Sequence, residues 1–261
     1  MEYSGIFDTH AHYDSEQFDE DRNTVLKNIL EHGCSLAVDP ACDLESCKKV
    51  LELADKYDFI YAAVGVHPHS AEEDGNGDYL EQIREFAKHK KVVAIGEIGL
   101  DYHYDFSPRE KQKEVFAEQL QLANELDLPV IIHDREAHAD TLELVKKYRP
   151  KGIIHCFSGS AETAREFLKL GMYIGFTGSV TFKNANKLLL AAETVPEDRI
   201  LLETDCPYMA PVPFRGQRCD SSLIFATAER LAEIRGTDAQ TLIDKARENA
   251  LRIYSIKEDN K

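Results

Sequence analysis

No apolar run in this 261-residue sequence approaches the ~18–20 residues that a membrane-crossing helix needs. Residues 1–12 carry neither a basic segment nor an apolar signal core, so secretion is not expected and a cytoplasmic protein is. Cysteine occurs at six positions (Cys34, Cys42, Cys47, Cys156, Cys206 and Cys219), yet no C-x-x-C pair exists, which removes the usual structural zinc site. Reduced thiols are expected in that compartment. Basic residues are scarce: Lys plus Arg total 31 against 47 Asp plus Glu, a formal charge of -16. Such a surface does not grip nucleic acid by phosphate neutralisation alone. A nucleic-acid substrate stays open, because bound divalent cations invert the local sign at a carboxylate-rich site. No linker-like stretch, low-complexity segment or short repeat interrupts the chain, so residues 1–261 read as one domain. A barrel of that size needs no partner, and a monomer is expected.

What is present is a regular alternation. Short β-rich apolar runs fall at 5–8, 35–39, 59–66, 92–97, 129–133, 152–157, 172–176 and 200–205. They are continuous rather than alternating, as parallel strands buried on both faces should be. Helical patterns lie between them. Residues 108–127 open with Ser107 as the expected N-cap and Pro108 at the first helical position, with Glu110 closing a capping box. Residues 161–170 end at Gly171, and 238–254 read as a last amphipathic helix. Gly75–Gly77 is a loop, and the proline-rich run 207–213 is too stiff for helix. About eight β/α units in one chain of this length predict an α/β fold, a single (β/α)8 TIM barrel. A doubly wound sheet would want a Gly-rich phosphate turn after its first strand. Here that strand runs into Asp8-Thr9-His10-Ala11-His12, without glycine.

Barrel enzymes carry their reactive residues at the C-terminal ends of the strands. The residues found there are His10 and His12, His67 and His69, Glu97 and Asp101, His133, His155, and Glu203 with Asp205; Asp39 is a weaker candidate. Side chains two apart on a strand share a face, so His10 and His12 can both point inward, with Asp8 behind them, as can Glu203 and Asp205. A lone histidine at a strand end is more often a hydrogen-bonding residue. Four histidines and two carboxylates at one end of five strands are not a chance placement. They exceed one tetrahedral ion and suit two ions about 3.5–4 Å apart with a bridging carboxylate. Imidazole donors favour Zn, Mn, Fe or Ni over Mg. His32, His89 and His138 lie on predicted helices and read as surface residues, whereas His103 is open. Cys156 and Cys206 each follow a ligand candidate and are expected to be small core residues facing away.

The ordered set resembles the TatD family of metal-dependent hydrolases, described as deoxyribonucleases. The resemblance rests on Asp8–His12, Gly65–His69, Gly96–Tyr102, Ile132-His133, His155–Gly159 and Glu203–Pro211, together with Phe214–Gly216 and the tail from Glu248 to Tyr254. It covers nearly the whole chain. It implies that His10 and His12 hold one metal with Asp205, that Glu97 bridges, and that His133 and His155 hold the second. One departure is visible. Where the family tends toward Arg-Asn-Glu-Pro, this sequence has Arg218-Cys219-Asp220-Ser221. That change bears on substrate preference rather than on metal binding.

The implied reaction is hydrolysis of phosphodiester bonds in DNA at single-stranded or frayed ends, as an exonuclease. Two divalent ions, Zn, Mn or Mg, would activate a water. Asp205 would act as general base, and Glu203 would orient a histidine ligand from behind. His67, Asp101 and Arg215 are candidates for phosphate contact or an auxiliary ion. Tyr102, Tyr104, Phe106 and Tyr208 are possible base-stacking residues, with loop packing the favoured expectation. A competing class is the amidohydrolase or acyl-ester hydrolase, with an amide, a small ester or acylated tRNA as substrate. Many such sites bridge their metals with a carboxylated lysine at the end of strand 4. This sequence places Glu97 there and no lysine on that strand. A binding scaffold is a third reading, and the intact ligand set argues against it.

Overall fold

The computed structural model describes residues 3–257. Eight parallel strands pair in chain order as one sheet. The chain runs β1 (Ile6–Asp8), α1 (Arg22–Glu31), β2 (Cys34–Pro40), α2 (Leu44–Lys56), β3 (Ile60–Val64), α3 (Ala71–Asp74), α4 (Tyr79–Phe86), β4 (Val92–Asp101) and α5 (Arg109–Leu126). It continues through β5 (Val130–Arg135), α6 (His138–Tyr148), β6 (Gly152–Ile154), α7 (Ala161–Lys169), β7 (Tyr173–Phe176), α8 (Asn186–Thr194), β8 (Ile200–Leu202), α9 (Ile224–Arg235) and α10 (Ala239–Ile253). The sheet curls until its first and last strands meet. Thr9 N–H donates to the Leu202 carbonyl at 3.1 Å, Asp205 N–H to His10 at 2.9 Å and His12 N–H to Cys206 at 2.8 Å. This is the expected (β/α)8 barrel.

Every strand contributes to a single interior cluster: Phe7, Val38, Ala63, Val93 with Ala94, Ile131, Ile153, Tyr173 and Leu201. Tyr254, just past α10, joins that cluster, and its hydroxyl donates to the Thr9 carbonyl at 3.0 Å. A second, larger cluster lies between the strands and the surrounding helices, with Phe116 of α5 and Phe167 of α7 fully buried. Full burial of such a side chain stabilises by roughly 1.5–3 kcal/mol. Two residues beyond the interior cluster, the same inward alternation delivers His133, His155 and Glu203. The apolar plug of the barrel is thus the floor of the polar end.

Several local expectations are corrected. The strands β6 and β8 stop earlier than expected, at Ile154 and Leu202, before their ligand candidates, whereas β1 ends at Asp8 as expected. Backbone at Cys156 (φ 42°) and Asp205 (φ 60°) leaves the extended region, which ends the ladder. Strand β4 instead runs past Glu97 to Asp101. It does so because Gly99 (φ 146°) has no Cβ, and a Cβ there would overlap the His133 carbonyl on β5. Ser107 does not cap α5. Pro108 takes the N-cap position with ψ 135°, without a side-chain cap. Ser107 Oγ donates to the His69 carbonyl and accepts from Glu72 N–H, both at 3.0 Å, tying the loop after β3 to the loop after β4. The helix at the C-terminus matches its expectation. Asp238 caps it through Thr241 N–H, and Asn249 Nδ2 donates to the Glu197 and Ile200 carbonyls at the start of β8.

Candidate metal centre

The chain after β1 is fastened before it is functional. Asp8 is fully buried and accepts from Thr204 N–H at 3.0 Å and from the Thr204 and Ser221 hydroxyls at 2.6 Å each. His10 N–H adds a longer bond at 3.3 Å. Asp8 therefore joins the ends of β1 and β8 to the loop before α9. Burial pushes its carboxyl up to about 6, against the lowering effect of the two hydroxyls. Ser221 Oγ also meets Tyr13 Oη at 2.6 Å, while Arg218 forks onto Asp21. The altered run Arg218–Ser221 acts as this anchor, and none of its residues lines the cavity described below.

That anchoring sets His10 and His12 nitrogen to nitrogen, with their Nε2 atoms 3.0 Å apart. Glu97 Oε2 lies 3.3 Å from the first and 3.6 Å from the second, and Asp205 Oδ1 lies 3.7 and 3.6 Å away. The other oxygen of Glu97 faces a different set. Its Oε1 is 2.8 Å from His133 Nδ1 and 3.7 Å from both His67 Nε2 and His155 Nε2. His155 Nε2 is also 3.7 Å from Asp205 Oδ1, and its ring stacks on His10 with centroids 3.4 Å apart. Glu97 thus stands between two groups of donors, with one oxygen toward each.

Supports sit behind these rings. His12 Nδ1 is 3.1 Å from the Pro40 carbonyl. Asp101 Oδ2 is 3.0 Å from His133 Nε2 and 2.9 Å from His69 Nε2. Its Oδ1 accepts the backbone N–H groups of His103 and Tyr104, both at 2.9 Å. Glu203 accepts Cys156 N–H, and its Oε1 lies 3.0 Å from His155 Nδ1. Gly175 on β7 makes room for Glu203, because a Cβ there would overlap its carboxylate.

The electrostatics follow from burial and crowding. Burial, aided by the His155 charge, holds His10 well below the ordinary imidazole value, and burial does the same to His67. Neutral imidazole is the form that ligates. Burial would raise Glu97, but the His10, His67 and His155 charges hold it well below the usual carboxylate range. Burial would lower His133, but its bonds to Asp101 and Glu97 raise it to about 9. Burial raises Asp205 to about 6 despite its neighbouring histidines. These donors fit a divalent cation. His10, His12 and Asp205 offer ligand atoms within 4.8 Å of one another, and so do His67, Glu97 and His133. His10 Nδ1 is a buried nitrogen without a partner.

The donors open into a cavity of about 540 Å³. Among the predicted site residues, His12, His67, Glu97, Asp101, His133, His155 and Asp205 line it; His10 and Glu203 lie beneath, buried. Arg215 is not brought there. Its guanidinium stacks 3.9 Å over the Phe182 ring, on the exposed loop after β8. Asp101 is fully buried, with both oxygens engaged as described, one of them at His133. Cys206 is buried in the core as expected. Cys156 is not: its Sγ lies 3.4 Å from Thr177 Oγ1 and within ligand range of His155 and Asp205, because its positive φ breaks the strand alternation. Tyr102 packs in its loop, with its hydroxyl 2.6 Å from Asp140. Tyr104 and Tyr208 instead line the cavity with 48% and 56% of their surface exposed. Sequence reasoning missed Cys42 and Arg135 on the lining. For Arg135 a signal existed, since it stands two residues beyond His133 on the same strand face.

The chain is similar to known proteins over almost its whole length. A family profile described as "TatD related DNase" matches residues 7–255. An "Uncharacterized metal-dependent hydrolase YabD" of Bacillus subtilis is 44% identical, over 96% of this chain and 99% of the relative. A "3'-5' ssDNA/RNA exonuclease TatD" of Cronobacter sakazakii is 36% identical, over 95% of this chain and 97% of the relative. Among solved structures, YJJV, a TatD homologue from Escherichia coli, superposes with a TM-score of 0.90 at 34% identity, covering 97% of this chain and 98% of that one.

Proposed function

This chain belongs to the TatD family of metal-dependent hydrolases, and from that premise we propose that it removes nucleotides from the 3′ end of single-stranded or frayed DNA by phosphodiester hydrolysis. The observation that carries the reading is the position of Glu97, with one oxygen toward His10 and His12 and the other toward His133, His67 and His155. In this reading His10, His12 and Asp205 would hold one divalent ion and His133 and His155 a second, with Glu97 serving both. Divalent ions so placed supply a water of lowered pKa and positive charge for the phosphoryl oxygens.

The remaining chemistry belongs to the chain. Asp205, which faces the cavity beside His10, His12 and His155, would accept the proton of the attacking water. Glu203 and Asp101 keep the His155 and His133 rings in place. Polarity and the single-stranded substrate come from the name of the Cronobacter relative, and they suit an acidic protein that lacks a long basic footprint. Glu97 lies on β4, the strand on which a bridging lysine would favour an amidohydrolase, which supports the phosphodiester reading over the amide one. Among the described residues no helix is long and apolar enough to cross a membrane. The reading takes residues 1–261 as one barrel domain, active as a cytoplasmic monomer.

The test strips the protein with chelator and restores Mg²⁺, Mn²⁺ or Zn²⁺ singly on end-labelled single-stranded DNA. Shortening from the 3′ end that needs metal and is absent in Glu97→Ala supports the reading. Two bound ions with no cleavage under any metal would overturn it in favour of an ester or amide substrate.

A further inference from the structure

Arg135 closes β5, and its side chain lines the cavity that holds the metal donors. It is the one lysine or arginine among the described residues of that lining. Most arginines of this acidic chain are tied to carboxylates or carbonyls, such as Arg109 to Asp105 and Arg218 to Asp21. Arg135 has no carboxylate within 4.0 Å among the described residues, nor a side-chain hydrogen bond. What fixes it is an aromatic face: its guanidinium carbon lies 4.7 Å over the Tyr104 ring. Tyr104 is itself held. It stacks on Phe106 with centroids 5.2 Å apart, and the His69 ring meets the edges of both at 5.5 and 4.8 Å. His69 in turn is bonded to Asp101. A cation held in place by ring faces keeps its N–H fork free, which is the arrangement that receives a phosphate oxygen.

The direction is set by the strand. His133 and Arg135 are two residues apart on one face of β5, so they stand ~7 Å apart along it. Arg135 is the more exposed of the two and stands outside His133 rather than among the metal donors. We propose that Arg135, positioned by Tyr104, binds a non-bridging phosphate oxygen of the nucleotide adjoining the scissile linkage and so makes the site an oligonucleotide site. The inference rests on the phosphodiesterase reading above and adds to it the residue that engages a second phosphate. It places a phosphate contact within the cavity, whose lining Arg215 does not join.

The test is steady-state cleavage of a labelled single-stranded oligonucleotide by metal-loaded wild type, Arg135→Ala and Arg135→Lys, from 50 to 300 mM NaCl. Removing a charge-assisted contact should raise KM about 10–100-fold at low salt in Arg135→Ala, with kcat little changed. The slope of log KM against log salt should fall by about 0.7, the increment for one phosphate contact on a single strand. Arg135→Lys should recover the slope but only part of the KM. An unchanged KM and slope in Arg135→Ala, with wild type cleaving normally, would overturn the inference and leave the phosphodiesterase reading standing. A fall in kcat without a change in slope would overturn it too, by assigning Arg135 to the support of the metal donors. Failure of the wild type to cleave any oligonucleotide would overturn the underlying reading, and this inference with it.

Discussion

Asp101 Oδ2 lies 3.0 Å from His133 Nε2, across the ring from the 2.8 Å contact of His133 Nδ1 with Glu97. The imidazole is therefore oriented by one carboxylate while it faces the centre through the other nitrogen. Asp101→Asn is the informative change. Oδ1 can keep the backbone N–H groups of His103 and Tyr104, so the turn is retained. The other position then presents an amide donor to a ring nitrogen that now donates to a carboxylate. We expect a fold close to wild type and a loss of metal affinity or turnover of about 10–100-fold. Metal titration beside circular dichroism checks this, and wild-type affinity would remove Asp101 from the orienting role.

Proton competition sets a pH dependence. Asp205 has its carboxyl raised to about 6, and His133 holds its proton to about 9. A divalent ion taking these donors must displace the His133 proton at neutral pH, and below about 6 the Asp205 proton as well. Apparent Mn²⁺ affinity should therefore weaken as pH falls and weaken more steeply below 6. Calorimetry in two buffers of different ionisation heat should register proton release on binding at pH 7. Affinity that is flat from pH 5 to 8 would contradict both assignments.

Gly175 touches no donor, yet it decides where Glu203 sits. Any Cβ added there overlaps the Glu203 carboxylate, which is wedged between Cys156 N–H and His155. Overpacking at such a position costs about 1–3 kcal/mol. Gly175→Ala should lower the urea midpoint accordingly and reduce activity through the displaced support of His155. A variant with both quantities unchanged would show that Glu203 has slack the packing does not suggest.

The cluster of candidate donors was legible from its spacing: His10 with His12, and Glu203 with Asp205, are pairs two apart just past strand ends. Barrel topology was legible for a related reason, since buried parallel strands are continuous apolar runs. What the sequence hid lies where the chain leaves the strand. Positive φ at Cys156 turns a residue expected in the core toward Asp205. Asp101 reads in the sequence as a candidate for phosphate contact or an auxiliary ion, and only the extension of β4 past Gly99 shows that it also meets His133. Arg215 and Arg135 are alike as letters. Their roles diverge because one stacks on Phe182 outside the cavity and the other on Tyr104 within it.

The departure at Arg218–Ser221 has its own consequence, because Ser221 now supplies one of the donors to Asp8. Ser221→Ala leaves a buried carboxylate short of a hydroxyl, which costs about 1–3 kcal/mol when that carboxylate is ionised. Asp8 titrates near 6 in the folded chain, above the ordinary carboxyl value of 3.8. A carboxyl raised in this way contributes stability that is present below the unfolded value and lost as pH rises through the folded one. Losing the Ser221 bond raises the folded value further, since that hydroxyl is one of the groups holding it down. The stability gap between wild type and Ser221→Ala should accordingly be small at pH 4 and widen up to pH 7. Urea unfolding at both pH values measures the gap. A constant difference across that range would mean that Ser221 acts through Tyr13, the other partner of its hydroxyl, rather than through the charge on Asp8.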